Sequence, residues 1–252
     1  MRNSIEVINL SKTYKNKQAV NNVNFKIDEN KMVGLLGPNG CGKTTTIGMI
    51  LGLLKPTGGK VLINGNNIEK NKISILHKMN FISPYIELPK KLKVKQNLIV
   101  YGKLYNVRNL DERINFLANK LRLNDLLNKI TGELSSGQKN RVSLAKALIN
   151  DPSVLLLDEP TASLDPETGD FIRTFIENYK KERKISILLA SHNMDEVKRL
   201  CDSVLMMKDG SIVDNGTPNE LITKYGRKNL EEVFLEIVRK EKWILLEFMV
   251  FS

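Results

Sequence analysis

Cysteine and histidine are scarce in this sequence, which contains two of each: Cys41 and Cys201, His77 and His192. Neither cysteine belongs to a CxxC pair and the histidines form no cluster, so we expect neither a disulfide framework nor a zinc site. Long apolar runs are missing too, because no window approaches the ~20 apolar residues of a membrane-spanning helix. The start of the chain, MRNSIEVINLSKTY, is too polar for a signal peptide. These absences together predict a cytosolic protein.

Acidic residues are outnumbered by basic ones, and the chain of 252 residues carries a formal net charge of +11. Such a charge suits a nucleic acid or an anionic membrane as partner, but it equally suits lysines spread over a solvated surface. The densest basic run, PKKLKVK at 89–95, has only Tyr85 as a nearby aromatic residue. We therefore interpret the lysines as surface residues and expect no specific nucleic-acid partner, with a preference for acidic surfaces left open.

Strand-like and helix-like segments alternate along the chain. Segments that read as strands, from alternation or from short apolar runs, are SIEVINL, AVNNVNFKI, KMVGLLG, KVLING, MNFI, SVLLLDEP and KISILLASH. Segments with helical periodicity or composition are KTTTIGMILGLL, most of 94–149, DPETGDFIRTFIENYKK and 194–200, while VLMMKDGSIVDNG indicates a hairpin. This order predicts an α/β fold with a parallel central sheet and an inserted helical subdomain at about 86–150.

The segment GPNGCGKT at 37–44 lies between a predicted strand and a predicted helix. It matches the pattern GxxxxGK[ST], in which glycines let successive backbone N–H groups approach phosphate oxygens. Lys43 adds a positive charge for the β- and γ-phosphates, and the Thr44 hydroxyl is a ligand for Mg²⁺. The alternative, a glycine-rich turn that binds nothing, is disfavoured by this context. The predicted nucleotide-binding residues are Gly37, Pro38, Asn39, Gly40, Cys41, Gly42, Lys43, Thr44 and Thr45.

Cys41 lies inside this loop, next to the predicted start of the helix. A helix N-terminus and a neighbouring ammonium group both favour the thiolate form of cysteine. We therefore expect Cys41 to react with a maleimide and to be protected by a bound nucleotide.

Two carboxylates end the apolar strand VLLLDEP. Asp158 suits Mg²⁺, directly or through water, and Glu159 suits a general base that polarises an attacking water. The alternative, an acidic pair that caps a helix, is disfavoured beside a phosphate-binding loop. His192 ends another predicted strand and is either a hydrogen-bond donor to the γ-phosphate or a structural residue. Asp165, a short loop further on, has the alternative role of capping the next helix.

The segment LSSGQ at 134–138 precedes another predicted helix. Free N–H groups and the positive end of the helix dipole favour an anion there. Because GPNGCGKT is already a phosphate site, the segment poses the question of what a second site is for.

In their order and spacing, these motifs resemble those of the nucleotide-binding subunits of ATP-binding cassette (ABC) transporters. The motifs are GPNGCGKT, LSSGQ, VLLLDEP, SLD at 163–165 and SH at 191–192, and the similarity extends from about Ile5 to Thr217. The resemblance implies a RecA-like P-loop NTPase core with an antiparallel β portion and an inserted α-helical subdomain. It also implies ATP and Mg²⁺ as ligands, and a head-to-tail dimer with a second copy or a paralogue that encloses ATP.

The resemblance further implies an answer to the question raised by LSSGQ. In the family this signature contacts the γ-phosphate held by the opposite subunit, a role that here falls to Ser135, Gly137 and Gln138. Tyr14 matches the aromatic residue that stacks on adenine, and its alternative is simple packing near a strand end.

The remaining roles implied by the resemblance concern the hydrolytic residues. Lys43 would bind the phosphates and Glu159 would be the catalytic base. His192 would be the switch histidine, and Asp165 would link the two sites of the dimer.

The chain also departs from the family pattern. Ser136 replaces the commoner glycine of the signature, and Ser83, Pro84 and Tyr85 stand where the family usually has a glutamine after the strand MNFI. Gln96 lies too far along the chain to substitute for that glutamine. The Ser83 hydroxyl is therefore the candidate replacement for its contact with the metal.

Residues 1–217 are predicted to form the ATPase domain, and 218–252 a short helical extension with an apolar tail. NLEEVFLEIVRKE resembles the terminal helix of subunits that serve exporter-type permeases, and the tail KWILLEFMVFS is expected to dock on its own domain. The expected function is ATP hydrolysis that drives a separate integral membrane permease, in the direction of export, from the cytoplasmic face of the membrane. The alternative is a single-cassette ATPase of a non-transport process, such as cluster assembly or ribosome and nucleic-acid work.

Overall fold

The computed structural model describes residues 3–84 and 86–239. The strands in chain order are β1 (Asn3–Tyr14), β2 (Lys17–Asp28), β3 (Met32–Leu36), β4 (Gly58–Ile63), β5 (Asn66–Asn67), β6 (Met79–Ile82), β7 (Val154–Asp158), β8 (Ser186–Ala190), β9 (Ser203–Lys208) and β10 (Ser211–Gly216). The α-helices are α1 (Lys43–Ile50), α2 (Lys72–Leu76), α3 (Val94–Leu104), α4 (Leu110–Lys120), α5 (Ser136–Leu148), α6 (Pro166–Arg183), α7 (Met194–Leu200) and α8 (Pro218–Lys224). Residues 230–239 are also helical.

The first sheet is antiparallel and has the strand order β2-β1-β4-β5. In β2 the side chains of Val23, Phe25 and Ile27 are buried while those between them are exposed. This alternation is typical of a sheet with one face in the core and one in water. The sequence predicted the longer strands of this sheet from the same alternation.

The second sheet has the order β10-β9-β3-β8-β7-β6, parallel except for the β9–β10 hairpin. β3, β7 and β8 are buried along their whole length. Successive residues of β7 face opposite sides: Leu155 and Leu157 pack with the helices that follow β6, while Leu156 packs with α1 and the antiparallel sheet. Burial on both faces explains why these strands are continuous apolar runs.

The register of the second sheet places several strand ends at one edge. Leu35 of β3 and Asp158 of β7 both pair with Ala190 of β8, and Ile82 of β6 pairs with Leu157. The segments that leave these strands therefore start side by side. In open parallel sheets, ligands bind beyond the carboxyl ends of the strands.

Helices α3, α4 and α5 lie between β6 and β7 in the chain and pack on one another. Their buried faces carry Leu98, Ile114, Leu117 and Val142, which belong to the same hydrophobic core as β7. The predicted α/β arrangement, with a parallel central sheet and helices in this stretch, is confirmed. No helix in the described ranges is long and apolar enough to cross a bilayer.

The structure differs from the prediction in some local features. α1 was expected to continue to Leu54 but ends at Ile50, because Gly52 has φ +64° and the amides of Leu53 and Leu54 bond to the carbonyl of Gly48. A glycine in the left-handed conformation commonly ends a helix in this way. The short elements β5 and α2 were not predicted. Tyr85 and the tail KWILLEFMVFS lie outside the described residues.

Lys146 of α5 is buried among uncharged groups. Its Nζ donates to Asn80 Oδ1 and to the carbonyl oxygen of Phe81, both at 3.3 Å. The ring centres of Phe81 and Tyr101 lie 5.1 and 5.3 Å from Nζ. No carboxylate in the described part of the chain forms an ion pair with it. Burial lowers the pKa of Lys146 to about 8.

This burial predicts a pH dependence of stability. Between the folded pKa of about 8 and the ordinary value of 10.5, the unfolded chain binds more protons at Lys146 than the folded chain does. The free energy of unfolding therefore gains a contribution as pH rises through this window and loses it as pH falls. We expect Lys146→Met, which cannot titrate, to lack about 2 kcal/mol of this gain between about pH 7 and 9.5. Denaturant unfolding of both chains across this range measures it, and parallel profiles would contradict the expectation.

Candidate nucleotide-binding and hydrolysis site

The loop between β3 and α1 depends on glycine for its conformation. Gly42, the N-cap residue of α1, has φ +109°, and a Cβ at this position would lie 2.5 Å from the carbonyl oxygen of Ala19. An L side chain fits neither that backbone angle nor that distance. α1 has no side-chain cap and no acidic residue in its first turn. Its free N–H groups and its dipole therefore favour an anion at this end.

Lys43 lies over this loop. Its Nζ donates to the carbonyl oxygens of Gly37 at 2.6 Å and Pro38 at 3.1 Å. Thr44 beside it is exposed, and Thr45 is half-buried. The loop thus brings the predicted residues from Gly37 to Thr45 together around one helix start, with an ammonium and two hydroxyl groups among them.

The expectation of a reactive Cys41 thiolate is wrong. Cys41 is 4% exposed, and a Cβ at Gly37 would lie 2.4 Å from its Sγ. Burial raises the pKa of the Cys41 thiol, although the charge of Lys43 acts in the opposite direction. The motif places the cysteine next to the helix start, but the sequence does not reveal that the side chain turns into the core.

Asp158 ends β7 at the same edge of the sheet and is 6% exposed. Ser83, directly after β6, donates from its Oγ to Asp158 Oδ2 at 3.3 Å. Burial and the charge of Glu159 raise the pKa of the Asp158 carboxyl, while the bond from Ser83 and the charge of Lys43 oppose this shift. The Ser83 hydroxyl thus lies beside the carboxylate for which a glutamine replacement was sought.

Glu159 follows with an unusual backbone conformation. Its φ is +51°, and its N–H donates to the carbonyl oxygen of Ala190 at 2.8 Å, across the gap between the ends of β7 and β8. Its Oε2 lies 2.7 Å from Nδ1 of His192. The His192 side chain is 73% exposed and the Glu159 side chain 19% exposed. The structure therefore brings these two predicted residues into direct contact, with the histidine ring facing outward.

Asp165 and Tyr14 lie at less central positions. Asp165 caps α6, because its side chain accepts the N–H of Thr168 at 2.9 Å, a bond that lowers the pKa of its carboxyl. Tyr14 ends β1 and is 45% exposed, with Lys12 Nζ 5.0 Å from the ring centre. The adjoining strand β2 contacts the loop at Gly42. Tyr14 is therefore an exposed aromatic side chain on the hairpin next to the loop.

The signature residues cap the helix α5. Ser135 Oγ accepts the N–H of Gln138 at 3.3 Å, and Gln138 Oε1 accepts the N–H of Ser135 at 3.1 Å. A Cβ at Gly137 would lie 3.1 Å from Thr168 of α6. None of the hydrogen bonds described for 3–84 and 86–239 joins Ser135, Gly137 or Gln138 to the loop at 37–45. Ser135 itself is exposed.

One buried carboxylate near the site escaped the sequence analysis. Glu196 of α7 is 1% exposed and accepts hydrogen bonds from Thr161 and Ser191, which flank the predicted site residues. In the sequence, a glutamate three residues after Asn193 indicates only a helix cap. Asn193 does accept the Glu196 N–H, yet the glutamate side chain points to other partners.

Comparison with known proteins explains this arrangement of strand ends and loops. The family model described as ABC transporter matches residues 20–162, more than half of the 252 residues.

The chain belongs to the ABC transporter family. It is an ATP-binding subunit of that family and hydrolyses ATP. The predicted RecA-like P-loop NTPase core is confirmed by the solved cassettes that it resembles.

Curated relatives carry different cargoes in their names. The chain is 34% identical over 241 residues to the choline transport ATP-binding protein OpuBA of Bacillus subtilis (strain 168), covering 94% of this chain and 62% of that relative. It is 34% identical over 221 residues to the ABC transporter ATP-binding protein NatA of the same strain, covering 86% and 89%. It is 37% identical over 222 residues to the Nod factor export ATP-binding protein I of Rhizobium johnstonii, covering 87% and 71%.

Among solved structures, the chain resembles the dimeric structure of MJ0796, a bacterial ABC transporter cassette. The TM-score is 0.78 at 28% identity, and the match covers 84% of this chain and 98% of that one.

Proposed function

We propose that this ABC ATPase uses Glu159 as the general base for ATP hydrolysis. The observation that carries the proposal is the contact of 2.7 Å between Glu159 Oε2 and His192 Nδ1. It lies at the sheet edge where the loop of Lys43 and the carboxylate of Asp158 also start. A base, a hydrogen-bond donor and a phosphate-binding loop are thus assembled at adjacent strand ends.

The residues at 37–45 would bind the phosphates of ATP. The N–H groups at the start of α1 and the Lys43 ammonium offer donors and positive charge to the β- and γ-phosphates. No group of three or more His, Cys, Asp or Glu in the described ranges is placed to hold a metal by itself. Thr44 and Asp158, with Ser83 beside Asp158, offer the hard oxygen ligands that Mg²⁺ prefers when substrate phosphates and water complete its shell. The ion would neutralise charge that develops on the phosphate oxygens.

Hydrolysis would proceed by attack of a water oxygen on the γ-phosphorus. Glu159 would accept the proton of this water while the bond between the γ-phosphorus and the β–γ bridging oxygen breaks, releasing ADP and phosphate. His192 would hold the Glu159 carboxylate and donate towards the γ-phosphate. A positioned base of this kind contributes ~10²–10⁴-fold in rate.

A second chain would complete each site with its signature residues. Ser135 is exposed, and the start of α5 is capped by its own side chains rather than by the P-loop of the same chain. Asp165 lies on the loop between Glu159 and α6, from which it would contact the partner. Tyr14 would stack on adenine. The dimeric form of the similar cassette MJ0796 supports a dimer of this chain, with a copy or a paralogue.

The membrane partner would be an integral permease, reached from the cytoplasmic face. The relatives named above are transport subunits, which favours this reading over a non-transport ATPase. We take residues 1–217 as the ATPase domain, about 86–150 as its helical subdomain and 218–252 as an extension. Export is the direction we propose, supported by the Nod factor export relative. Cells in which this chain carries Glu159→Gln should then retain the transported compound, and its depletion inside such cells would contradict export.

We expect Glu159→Gln to bind ATP but to lose most turnover, by ~10²-fold or more, because an amide cannot accept the proton. The ATP-bound dimer should then dissociate slowly. ATPase rate, nucleotide binding and sedimentation measured on the same preparation test this expectation. Glu182→Gln is the matched control, since Glu182 pairs with Lys120 on the exposed surface. Near-normal turnover of Glu159→Gln would remove Glu159 from the role of base, and loss of ATP binding would make it structural.

Exposed apolar side chains on neighbouring elements supply a surface for the permease. Leu53 and Ile73 are 62% and 78% exposed, and Leu104 is 66% exposed. Lys72 bonds to the carbonyl of Gly52, and the ring of His77 contacts that of Tyr105, so these elements adjoin. Exposed apolar groups of this kind mark interaction sites.

We expect Ile73→Lys and Leu104→Lys to reduce co-purification with the permease at least ~10-fold while ATP binding stays unchanged, because a buried unpaired ammonium is costly at an interface. Val213→Lys is the control, since Val213 is 49% exposed but lies on the distant strand β10. If Val213→Lys disrupts the complex while Ile73→Lys and Leu104→Lys do not, the permease binds elsewhere.

A further inference from the structure

The carboxylate of Glu196 lies between the loops that follow β7 and β8. Its Oε1 accepts a hydrogen bond from Thr161 Oγ1, and its Oε2 accepts one from Ser191 Oγ, both at 2.7 Å. Burial raises the pKa of the Glu196 carboxyl, and these two bonds act in the opposite direction. Both carboxylate oxygens are thus committed to hydroxyl groups of the two loops that carry the proposed hydrolytic residues.

These bonds close a ring that contains Glu159. Thr161 comes two residues after Glu159, and Ser191 immediately precedes His192. His192 in turn contacts Glu159 at 2.7 Å. The ring therefore runs from Glu159 along the chain to Thr161, across to Glu196 and Ser191, and through His192 back to Glu159.

Glu159 depends on such support because it lies outside regular secondary structure. Its φ of +51° is in the left-handed region, which is uncommon for a residue with a side chain. Such a conformation persists only where the surrounding structure holds it. The turn that follows is closed by the N–H of Ala162, which donates to the carbonyl of Glu159 at 3.1 Å. The next side-chain anchor along the loop is Thr161, held by Glu196.

We propose that Glu196 is a positioning residue for ATP hydrolysis, which holds the Glu159 carboxylate against His192 by binding the hydroxyl groups of Thr161 and Ser191. The proposal rests on the proposed role of Glu159 as general base. Glu196 acts only through the two loops. Because rate depends steeply on the geometry of the reacting groups, a displacement of about 1 Å is enough to cost ~10²-fold.

The first test removes each hydroxyl group from the ring. Thr161→Val and Ser191→Ala should each lower kcat at least ~10-fold and leave the KM for ATP within ~2-fold, because the nucleotide-binding loop is untouched. Turnover is measured in the assembly that supports activity of the parent chain. Glu196→Gln, whose amide still reaches both hydroxyl groups, should retain more kcat than Glu196→Ala.

The matched control lies on the same strand as Ser191. Ser186, at the other end of β8, is also 1% exposed and donates its hydroxyl to Ser4 at 2.8 Å. Ser186→Ala should leave kcat within about twofold of the parent value, as expected for a site remote from the chemistry. An equal fall of kcat in Ser186→Ala and Ser191→Ala would overturn the proposal, because loss of a buried hydroxyl anywhere on β8 would then suffice.

The second test separates this proposal from the role of Glu159. If Glu196 acts through Glu159, Thr161→Val should cause no further loss of single-turnover rate in a chain that already carries Glu159→Gln. A multiplicative loss in the double variant would overturn the positioning role. Normal turnover of Glu159→Gln would refute the general base instead. Loss of turnover in Glu159→Gln, with kcat unchanged in both Thr161→Val and Ser191→Ala, would refute only the proposal for Glu196.

Discussion

The shared register of three parallel strands determines where the chemistry of this chain lies. Leu35 of β3 and Asp158 of β7 are both paired with Ala190 of β8. Because these strands are buried on both faces, a shift by one residue would reverse the direction of every side chain, and packing therefore fixes the register. Three segments leave the sheet side by side: the phosphate-binding loop, the loop of Glu159 and the loop of His192. The contact between Glu159 and His192 follows from this constraint.

The two helices with anion-binding sequence signals begin in opposite ways. α1 starts after Gly42 without a side-chain cap, so its N–H groups remain available to a ligand. α5 starts with a reciprocal cap in which Ser135 and Gln138 satisfy each other's backbone N–H groups. The second helix start is therefore a preformed, exposed surface that requires no phosphate for its own stability. This difference supports the proposal that the signature serves a nucleotide held by another chain.

Sequence patterns were sufficient where a residue's role depends on its neighbours in the chain. The apolar run before Asp158 predicted a buried strand that ends at the site, and the glycines of the P-loop predicted its conformation. They were insufficient where the role depends on side-chain direction. Cys41 lies next to a helix start as expected, yet its side chain points into the core, where burial dominates its pKa.

Glu196 illustrates the same limit from the other side. Its position after Asn193 fits a helix cap, and only the packing of α7 against two loops turns its carboxylate towards Thr161 and Ser191. Ser83 is a related case, because its contact with Asp158 requires the pairing of β6 with β7, which one sequence does not specify.

Trapping of ATP by mixed dimers tests the central claim, that one chain's P-loop and another chain's signature form each site. One chain would carry Lys43→Ala and its partner Ser135→Arg, with Glu159→Gln in both so that bound ATP is retained; permease is added if the subunits do not associate alone. In the mixed dimer one site has both lesions and the other has neither. Each parent homodimer has a lesion in every site. The account predicts that mixed dimers trap about half as much ATP as dimers with Glu159→Gln alone, and that both parent homodimers trap far less. Mixed dimers that assemble but trap no more ATP than their parents would contradict it.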